Sequence, residues 1–358
     1  MHTQDKIIKV LIVDDSALVR VLFKRMLYTS SEIEVVGAAC DGEEALQLIP
    51  KLKPDVICTD LHMPKMDGLE FTKVVMVKFP CPILVISVSV EEGDDDHNIF
   101  RLFEAGAVDV FPKPDGGARF DYDKFTADLI HKIKILAGVF VFHRHSAATP
   151  EIFQAPKTDY APKTQQPVKI LVIGASTGGP QALHTVLNRL PADFPVPIVC
   201  VQHISEGFAQ GLVDWLDSQC KLLVKFAEKG ERPSPGTVYF PPERNHLEFD
   251  AIRHFKLSGN HTVEGHCPSV TVTFNSAAKY YGSSVAAVLL TGMGSDGAEG
   301  MQTIAQSGGL TIAQNEATSV VFGMPKVAIE LGAAQHVMAL DEIPRVLNRL
   351  GQVWFVNQ

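Results

Sequence analysis

The chain has 358 residues, of which 46% are hydrophobic and 20% are charged, and its formal net charge at neutral pH is −9. This length predicts two or three domains. The composition is that of an ordinary soluble, globular protein. The negative charge argues against a general nucleic-acid or membrane-surface binder, because anionic partners would be repelled, and it favours a protein partner.

The cysteines and the apolar runs constrain the compartment. No two cysteines form a C-x-x-C pair or cluster with histidines, so we expect reduced thiols rather than disulfides or a zinc site. The sequence opens without the apolar core and cleavage site of a secretory signal. The longest suspicious apolar run, Ile135–Phe142, is far shorter than the roughly 20 residues needed to cross a bilayer. A cytoplasmic protein without direct membrane insertion is predicted. The six cysteines are Cys40, Cys58, Cys81, Cys200, Cys220 and Cys267.

Five apolar runs alternate with helix-length segments in the first third of the chain. The first run is IKVLIV, which is residues 7–13 without Ile7. An amphipathic helix, Ala17–Tyr28, follows it. This alternation predicts a parallel, doubly wound sheet of the flavodoxin-like (βα)5 type, in which functional groups gather beyond the carboxyl ends of the strands. The other four predicted strands are Val35–Ala39, Val56–Thr59, Ile83–Ile86 and Val108–Phe111.

Acidic, hydroxyl and basic side chains lie at four of these strand ends. They are Asp14 and Asp15 after the first strand, Asp60 after the third, Ser87 after the fourth and Lys113 after the fifth. Three converging carboxylates repel one another unless a hard cation such as Mg²⁺ is bound, and such a cation can hold a phosphoryl group during its transfer to one of them. Lys113 could pair with that phosphate, and the Ser87 hydroxyl could hydrogen-bond to it. The alternative is that the acids cap a helix and Lys113 is a solvated surface charge.

The motifs VDDS, DLHMPKMDG and GAVDVFPKP resemble the receiver domain of a two-component response regulator, over residues 5–135. The resemblance implies that Asp60 is the phospho-acceptor and that Asp14 and Asp15 are the acidic pair. It also implies a Mg²⁺ requirement and a histidine kinase as phosphodonor. One position departs from the pattern: Val110 stands where many receivers carry a rotamer-switching aromatic residue, so the form of the output switch is open.

Hydrophobic periodicity then fails in a polar, proline-punctuated stretch. We interpret residues 136–167 as an interdomain linker that is partly extended. His143 and His145 lie within it, but two histidines without a third ligand do not predict a metal site, and no role is assigned to them. A second domain is predicted over residues 168–358.

The second domain opens with the segment Lys169–Pro180, KILVIGASTGGP, which predicts a buried strand, a tight turn and then a helix over Gln181–Leu190. Ser176 lies in the turn, near a helix N-terminus where negative charge is favoured. The glycines at 174 and 178 fit the nucleophile-elbow spacing. A glycine-rich turn whose serine caps the helix is the alternative, and neither nucleotide-phosphate loop motif is present.

Two later strands are predicted to end in complementary groups. Ile198–Val201 leads to His203, and Val285–Leu290 leads to a glycine-rich turn that carries Asp296. Because parallel strands end at one edge of a sheet, we expect Ser176, His203 and Asp296 to meet there, as a catalytic triad requires. Taken alone, the histidine reads as a satisfied strand-end residue and the aspartate as a turn residue or cap. Asp193, Asp214 and Asp217 are competing acids in loop or helix patterns.

The order Ser, His, Asp does not suit an α/β-hydrolase. We expect the second domain to be a doubly wound, mostly parallel α/β domain of the Rossmann-like class. The motifs GASTGGP, VQHI, LTGMGSDGAEGM and QNEATSVVFGMP resemble the catalytic domain of the chemotaxis protein-glutamate methylesterases, the CheB family, over residues 168 to about 350. Together with the receiver, the resemblance spans nearly the whole chain.

The resemblance implies roles for individual residues. Ser176 would be the nucleophile, His203 the general base and then acid, Asp296 the orienting carboxylate, and the N–H of Met293 part of the oxyanion hole. The substrate would be a glutamate γ-methyl ester on a methyl-accepting chemoreceptor, with glutamate and methanol as products, and receptor glutamines could also be deamidated. No metal is implied for the esterase. Cys267 stands where the family usually has Arg, and Ile-Ser follows His203 where Met-Pro is common.

A regulatory hypothesis follows from the pairing of the two domains. We expect the unphosphorylated receiver to cover the strand-end edge of the esterase and phosphorylation of Asp60 to loosen that interface. A non-catalytic receptor-binding adaptor is the principal alternative. A DNA-binding regulator is disfavoured by the α/β output half, the lack of a helix-turn-helix signal and the acidic charge.

Overall fold

The computed structural model describes residues 6–88, 96–114, 121–139, 167–259 and 261–352. Within these ranges the chain divides into two compact units. Most of the predicted linker, including His143 and His145, lies outside the described residues, as do residue 5 and residues 353–358 of the predicted domains. None of the described helices has the length and apolarity needed to cross a membrane.

The first unit is a five-stranded parallel sheet in the order β2-β1-β3-β4-β5, as predicted for the flavodoxin-like class. Its strands are β1 Ile8–Val13, β2 Ile33–Ala39, β3 Val56–Asp60, β4 Ile83–Ser87 and β5 Asp109–Pro112. Its helices are α1 Ala17–Leu27, α2 Gly42–Leu52, α3 Gly68–Lys78, α4 Asp96–Ala105 and α5 Tyr122–Leu136. β3 and β4 are buried along their whole length, which is typical of parallel strands covered by helices on both faces.

The observed β5 begins at Asp109, one residue later than the predicted strand, so its first residue is charged. Asp109 is buried, and its carboxylate accepts a hydrogen bond from the ammonium of Lys132 on α5 at 2.9 Å. This partner makes burial of the carboxylate tolerable. The last residue of α5, Leu136, is fully buried, and Val139 beyond it is also buried, so the packed structure extends a few residues into the predicted linker.

The second unit contains a seven-stranded parallel sheet in the order β14-β13-β12-β6-β7-β9-β8 and a separate antiparallel hairpin, β10-β11. The strands are β6 Ile170–Ala175, β7 Ile198–Gln202, β8 Leu223–Phe226, β9 Thr237–Phe240, β10 Asn245–Phe249, β11 Phe255–Gly259, β12 Val285–Leu289, β13 Leu310–Gln314 and β14 His336–Met338. The helices are α6 Gly179–Leu187, α7 Ala209–Gln219, α8 Val270–Tyr281, α9 Ala298–Gln306, α10 Met324–Glu330 and α11 Ile343–Gln352.

The strand order creates a switch point at β6. β6 pairs with β7 on one side and with β12 on the other, so the chain winds away from β6 in both directions. In doubly wound sheets a crevice forms at such a point, outside the carboxyl ends of the strands. The turns after β6, β7 and β12 therefore border one crevice. The Rossmann-like class predicted for this unit is confirmed.

Candidate active site

Ser176 is half-buried and follows β6 directly. Its N–H donates to the carbonyl of Thr291 beyond β12 at 3.0 Å, and the Thr291 hydroxyl donates in return to the carbonyl of Thr177 at 2.9 Å. These two bonds fix the turn after β6 against the turn after β12.

Glycines allow this close approach. Gly178 caps α6 with φ 75°, and a Cβ there would lie 2.6 Å from the Cβ of Val320. A Cβ on Gly292 would lie 2.7 Å from the Cβ of Ser176. Ser176 is not among the non-glycine residues with positive φ. The left-handed position of the turn belongs to Gly178, which bears that conformation without steric cost.

His203 follows β7, and its backbone N–H donates to the backbone carbonyl of Ala175 at 3.0 Å. The preceding Gln202 is buried, and its side-chain amide donates to two carbonyls, that of Ser176 at 2.7 Å and that of His203 at 2.8 Å. One amide group thus ties the serine segment to the histidine segment.

The imidazole of His203 is joined to the carboxylate of Asp296 by a hydrogen bond of 2.8 Å between Nε2 and Oδ2. The histidine side chain is 9% exposed and that of the aspartate 1%. Because an ionised carboxylate only accepts, Nε2 carries the proton and Nδ1 keeps its lone pair. Nδ1 is buried and has no hydrogen-bond partner in the described part of the chain. That nitrogen is suited to accept a proton.

Asp296 accepts three further hydrogen bonds from the start of α8. The Ser269 hydroxyl and the Thr271 N–H donate to Oδ1, both at 2.8 Å, and the Val270 N–H donates to Oδ2 at 2.7 Å. Burial alone would raise the pKa of Asp296, but the hydrogen bond and charge of His203 and these backbone donors hold it well below its ordinary value. The carboxylate therefore stays ionised beside the imidazole.

A second imidazole lies against the first. The rings of His266 and His203 are stacked, with centroids 3.8 Å apart and planes 5° from parallel. Burial, followed by the charge of His203, lowers the pKa of His266 to about 4. His266 is therefore neutral near pH 7.

The structure thus joins His203 to Asp296 by a hydrogen bond. Ser176 lies in a turn that is hydrogen-bonded to the segments that follow β7 and β12. Within the described ranges, no hydrogen bond links the Ser176 hydroxyl to the His203 ring. Met293 lies in the turn between β12 and Asp296 and is 42% exposed, and its N–H has no partner among the described residues. A free N–H at this edge is available to a developing oxyanion.

The predicted residues of the first unit also converge. Ligand atoms of Asp14, Asp15 and Asp60 lie within 4.8 Å of one another, with the first and last buried. The Lys113 ammonium lies 2.7 Å from Oδ2 of Asp60 and 2.9 Å from Oδ2 of Asp14. Burial raises the pKa of Asp60 above its usual value, although the hydrogen bond from Lys113 opposes this effect. Ser87 is buried at the end of β4, and its carbonyl accepts the N–H of Lys113 at 2.6 Å.

Two family models match this chain, one for each compact unit. The family model for CheB methylesterase matches residues 171–347, and that for the response regulator receiver domain matches residues 10–120. "Protein-glutamate methylesterase/protein-glutamine glutaminase 1" of Syntrophus aciditrophicus (strain SB) is 41% identical over 346 residues, covering 96% of this chain and 98% of the relative. The chain belongs to the CheB methylesterase family.

Other relatives agree with this assignment. "Protein-glutamate methylesterase/protein-glutamine glutaminase 2" of Anaeromyxobacter dehalogenans (strain 2CP-C) is 42% identical over 347 residues, covering 97% of this chain and 98% of the relative. The crystal structure of the Thermotoga maritima CheB methylesterase catalytic domain is 44% identical with a TM-score of 0.50, and the match covers 52% of this chain and all of that one. The predicted family, with its receiver domain and its class of ester hydrolases, is confirmed.

Cys267 departs from the CheB pattern, as does the Ile-Ser pair after His203, and Val110 departs from the receiver pattern. Cys267 is half-buried, and burial raises the pKa of its thiol. A thiol carries no positive charge, so this position offers no cation where the pattern has Arg. Val110 is fully buried in β5, and the neighbouring Phe111 packs edge-on against Phe125 on α5 with centroids 4.9 Å apart. The aromatic ring of β5 is thus held in the core.

Sequence reasoning missed three side chains that shape this CheB site. Gln202 lies within the motif VQHI but was given no role, and Ser269 carried only the general signal of a serine before an apolar helix. His246 gave no signal, since it lies near the start of β10 after a polar stretch. Its contribution comes from a contact across 23 residues of sequence, with Ser269.

Proposed function

We propose that this chain hydrolyses glutamate γ-methyl esters on chemoreceptors, giving glutamate and methanol. The observation that carries the proposal is the hydrogen bond between His203 and Asp296 at the edge where Ser176 also lies. The relatives named as protein-glutamate methylesterases and protein-glutamine glutaminases supply the substrate class. The same acyl-transfer chemistry would extend to the side-chain amide of a receptor glutamine.

The mechanism assigns one role to each group. The Ser176 hydroxyl attacks the ester carbonyl while Nδ1 of His203 takes its proton, and Asp296 stabilises the imidazolium. The Met293 N–H stabilises the oxyanion. His203 then protonates the departing methoxide, which leaves as methanol. Water, deprotonated by His203, attacks the acyl-serine and releases glutamate. In this arrangement Nε2 faces the carboxylate and Nδ1 performs the proton transfers.

The receiver is proposed to accept a phosphoryl group on Asp60 from a histidine kinase. Asp14, Asp15 and Asp60 fit a Mg²⁺ ion, because oxygen donors are its preferred ligands and Lys113 offsets only one of their three negative charges. Bound Mg²⁺ would neutralise charge on the phosphoryl group. Lys113 would pair with the phosphoryl oxygens, and Ser87 would hydrogen-bond to them.

Regulation and location belong to the same proposal. Phosphorylation of Asp60 would activate the esterase. The substrate sites would be cytoplasmic receptor segments, so the protein would act in the cytoplasm.

Methanol release from a methylated chemoreceptor separates an esterase from a non-catalytic adaptor. We expect Ser176→Ala to lower the rate by at least about a thousandfold, because the nucleophile is lost. Ser307→Ala, which removes an exposed hydroxyl at the end of α9, is the matched control and should release methanol like the wild type. Equal rates for wild type and Ser176→Ala would contradict the proposal.

A further inference from the structure

We propose that His246 and Ser269 are positioning residues for Asp296, acting as a relay that holds the carboxylate in place for His203. The inference rests on the proposed function, since it concerns how the same site is held. Neither side chain touches the reacting atoms.

Ser269 is the first step of the relay. It is the N-cap residue of α8, with φ −113° and ψ 135°, and its side chain is fully buried. Its hydroxyl donates to Oδ1 of Asp296 at 2.8 Å and accepts the N–H of Val272 at 3.4 Å. The cap therefore orients the hydroxyl proton toward the carboxylate. It also fixes the helix end from which the N–H groups of residues 270 and 271 reach Asp296.

His246 is the second step. It is 0% exposed, and its Nδ1 accepts the N–H of Ser269 at 3.1 Å. Its Nε2 lies 3.0 Å from the carbonyl of His261, and because a carbonyl only accepts, the proton is on Nε2. The His261 carbonyl thus sets the tautomer in which Nδ1 is an acceptor. A buried N–H at the cap needs such a partner.

The relay depends on His246 remaining neutral. Protonation would place a hydrogen on Nδ1, opposite the N–H of Ser269, and two donors would then face each other. The titratable groups around the ring are His261, with ring centroids 4.7 Å apart, Glu248 and Asp296. Burial is the main effect on this imidazole and lowers its pKa, which keeps it neutral near pH 7.

The test measures methanol release by the full-length protein, normalised to the folded fraction from circular dichroism. We expect His246→Leu and Ser269→Ala each to lower kcat about tenfold or more, with KM changed less than twofold. His246→Asn places an amide oxygen near the position of Nδ1 and should recover kcat to within about threefold of wild type. Ser269→Ala should also move the acid limb of kcat/KM to higher pH, because a carboxylate with one donor fewer stabilises the His203 imidazolium more strongly.

His336→Leu, on β14, is the matched control and should keep the wild-type kcat. Folded His246→Leu and Ser269→Ala variants with wild-type kcat and an unmoved acid limb would overturn the inference, as would His246→Asn falling as far as His246→Leu. If His246→Leu does not fold, Ser269→Ala decides by its kcat and acid limb alone. A wild type no more active than Ser176→Ala would instead remove the proposed function on which the inference rests.

Discussion

Asp296 is the residue on which the geometry of the esterase site depends. Four hydrogen bonds of 2.7 to 2.8 Å, from His203, Ser269, Val270 and Thr271, converge on its two oxygens. An isolated buried carboxylate would be costly, but four donors and a helix N-terminus compensate for that cost. The carboxylate is consequently charged and hydrogen-bonded at both oxygens, as the proposed orienting role requires.

The stacked His266 gives the second unit a pH-dependent stability. Its pKa is about 4 in the folded chain against 6.5 for an unperturbed histidine, so the unfolded chain binds the proton first as pH falls. Stability from this site is therefore full above pH 6.5 and decreases as pH falls toward 4. His266→Phe keeps an aromatic ring but cannot titrate, so its urea midpoint should fall less between pH 7 and pH 5 than that of the wild type.

Intrinsic fluorescence can follow this unfolding, since both tryptophans of the chain lie beyond residue 167. Identical changes in midpoint for the wild type and His266→Phe would show that protonation of His266 does not limit stability.

At the scale of elements, the turn between β6 and α6 is set by close backbone approach. Gly178 has φ 75° and packs against Val320, whereas Gly230 has a similar φ of 81° with nothing within 4 Å of the position that a Cβ would take. A substitution at Gly230 would therefore introduce backbone strain alone, whereas one at Gly178 would introduce strain and a steric contact. Left-handed backbone costs a non-glycine residue roughly 1–2 kcal/mol.

Gly178→Ala is expected to destabilise the second unit more than Gly230→Ala, because its new methyl group meets Val320 in addition to the strain. It should also lower the rate of methanol release, since the turn carries Ser176. Denaturant unfolding and the esterase assay check both effects, and adding Val320→Ala should recover part of the loss. Equal destabilisation by the two alanine substitutions would rule out the steric contribution.

The sequence predicted the strand ends well, because long apolar runs mark buried parallel strands and such strands end at a common edge. Ser176, His203 and Asp296 were found in that way. The boundaries were less certain: α6 starts at Gly179 rather than Gln181, since Gly178 supplies the cap, and β5 covers Asp109–Pro112 rather than Val108–Phe111. The His246 and Ser269 relay could not be predicted, as it depends on how the β10-β11 hairpin packs against the start of α8.

At the scale of the whole molecule, each compact unit places acidic groups at the carboxyl ends of its parallel strands, with different consequences. In the first unit three carboxylates converge and one lysine partly offsets them, which suits a cation and a phosphoryl group. In the second unit one carboxylate is fully satisfied by donors, which suits orientation of a base. The proposed function links these two sites through phosphorylation.

A phosphoryl group on Asp60 is proposed to control hydrolysis at Ser176. The most direct measurement is the rate of methanol release from methylated receptor by the full-length protein, with and without acetyl phosphate and Mg²⁺. We expect the wild-type rate to rise with the phosphodonor and the rate of Asp60→Asn not to respond to it. A response of Asp60→Asn equal to that of the wild type would rule out control of hydrolysis through Asp60.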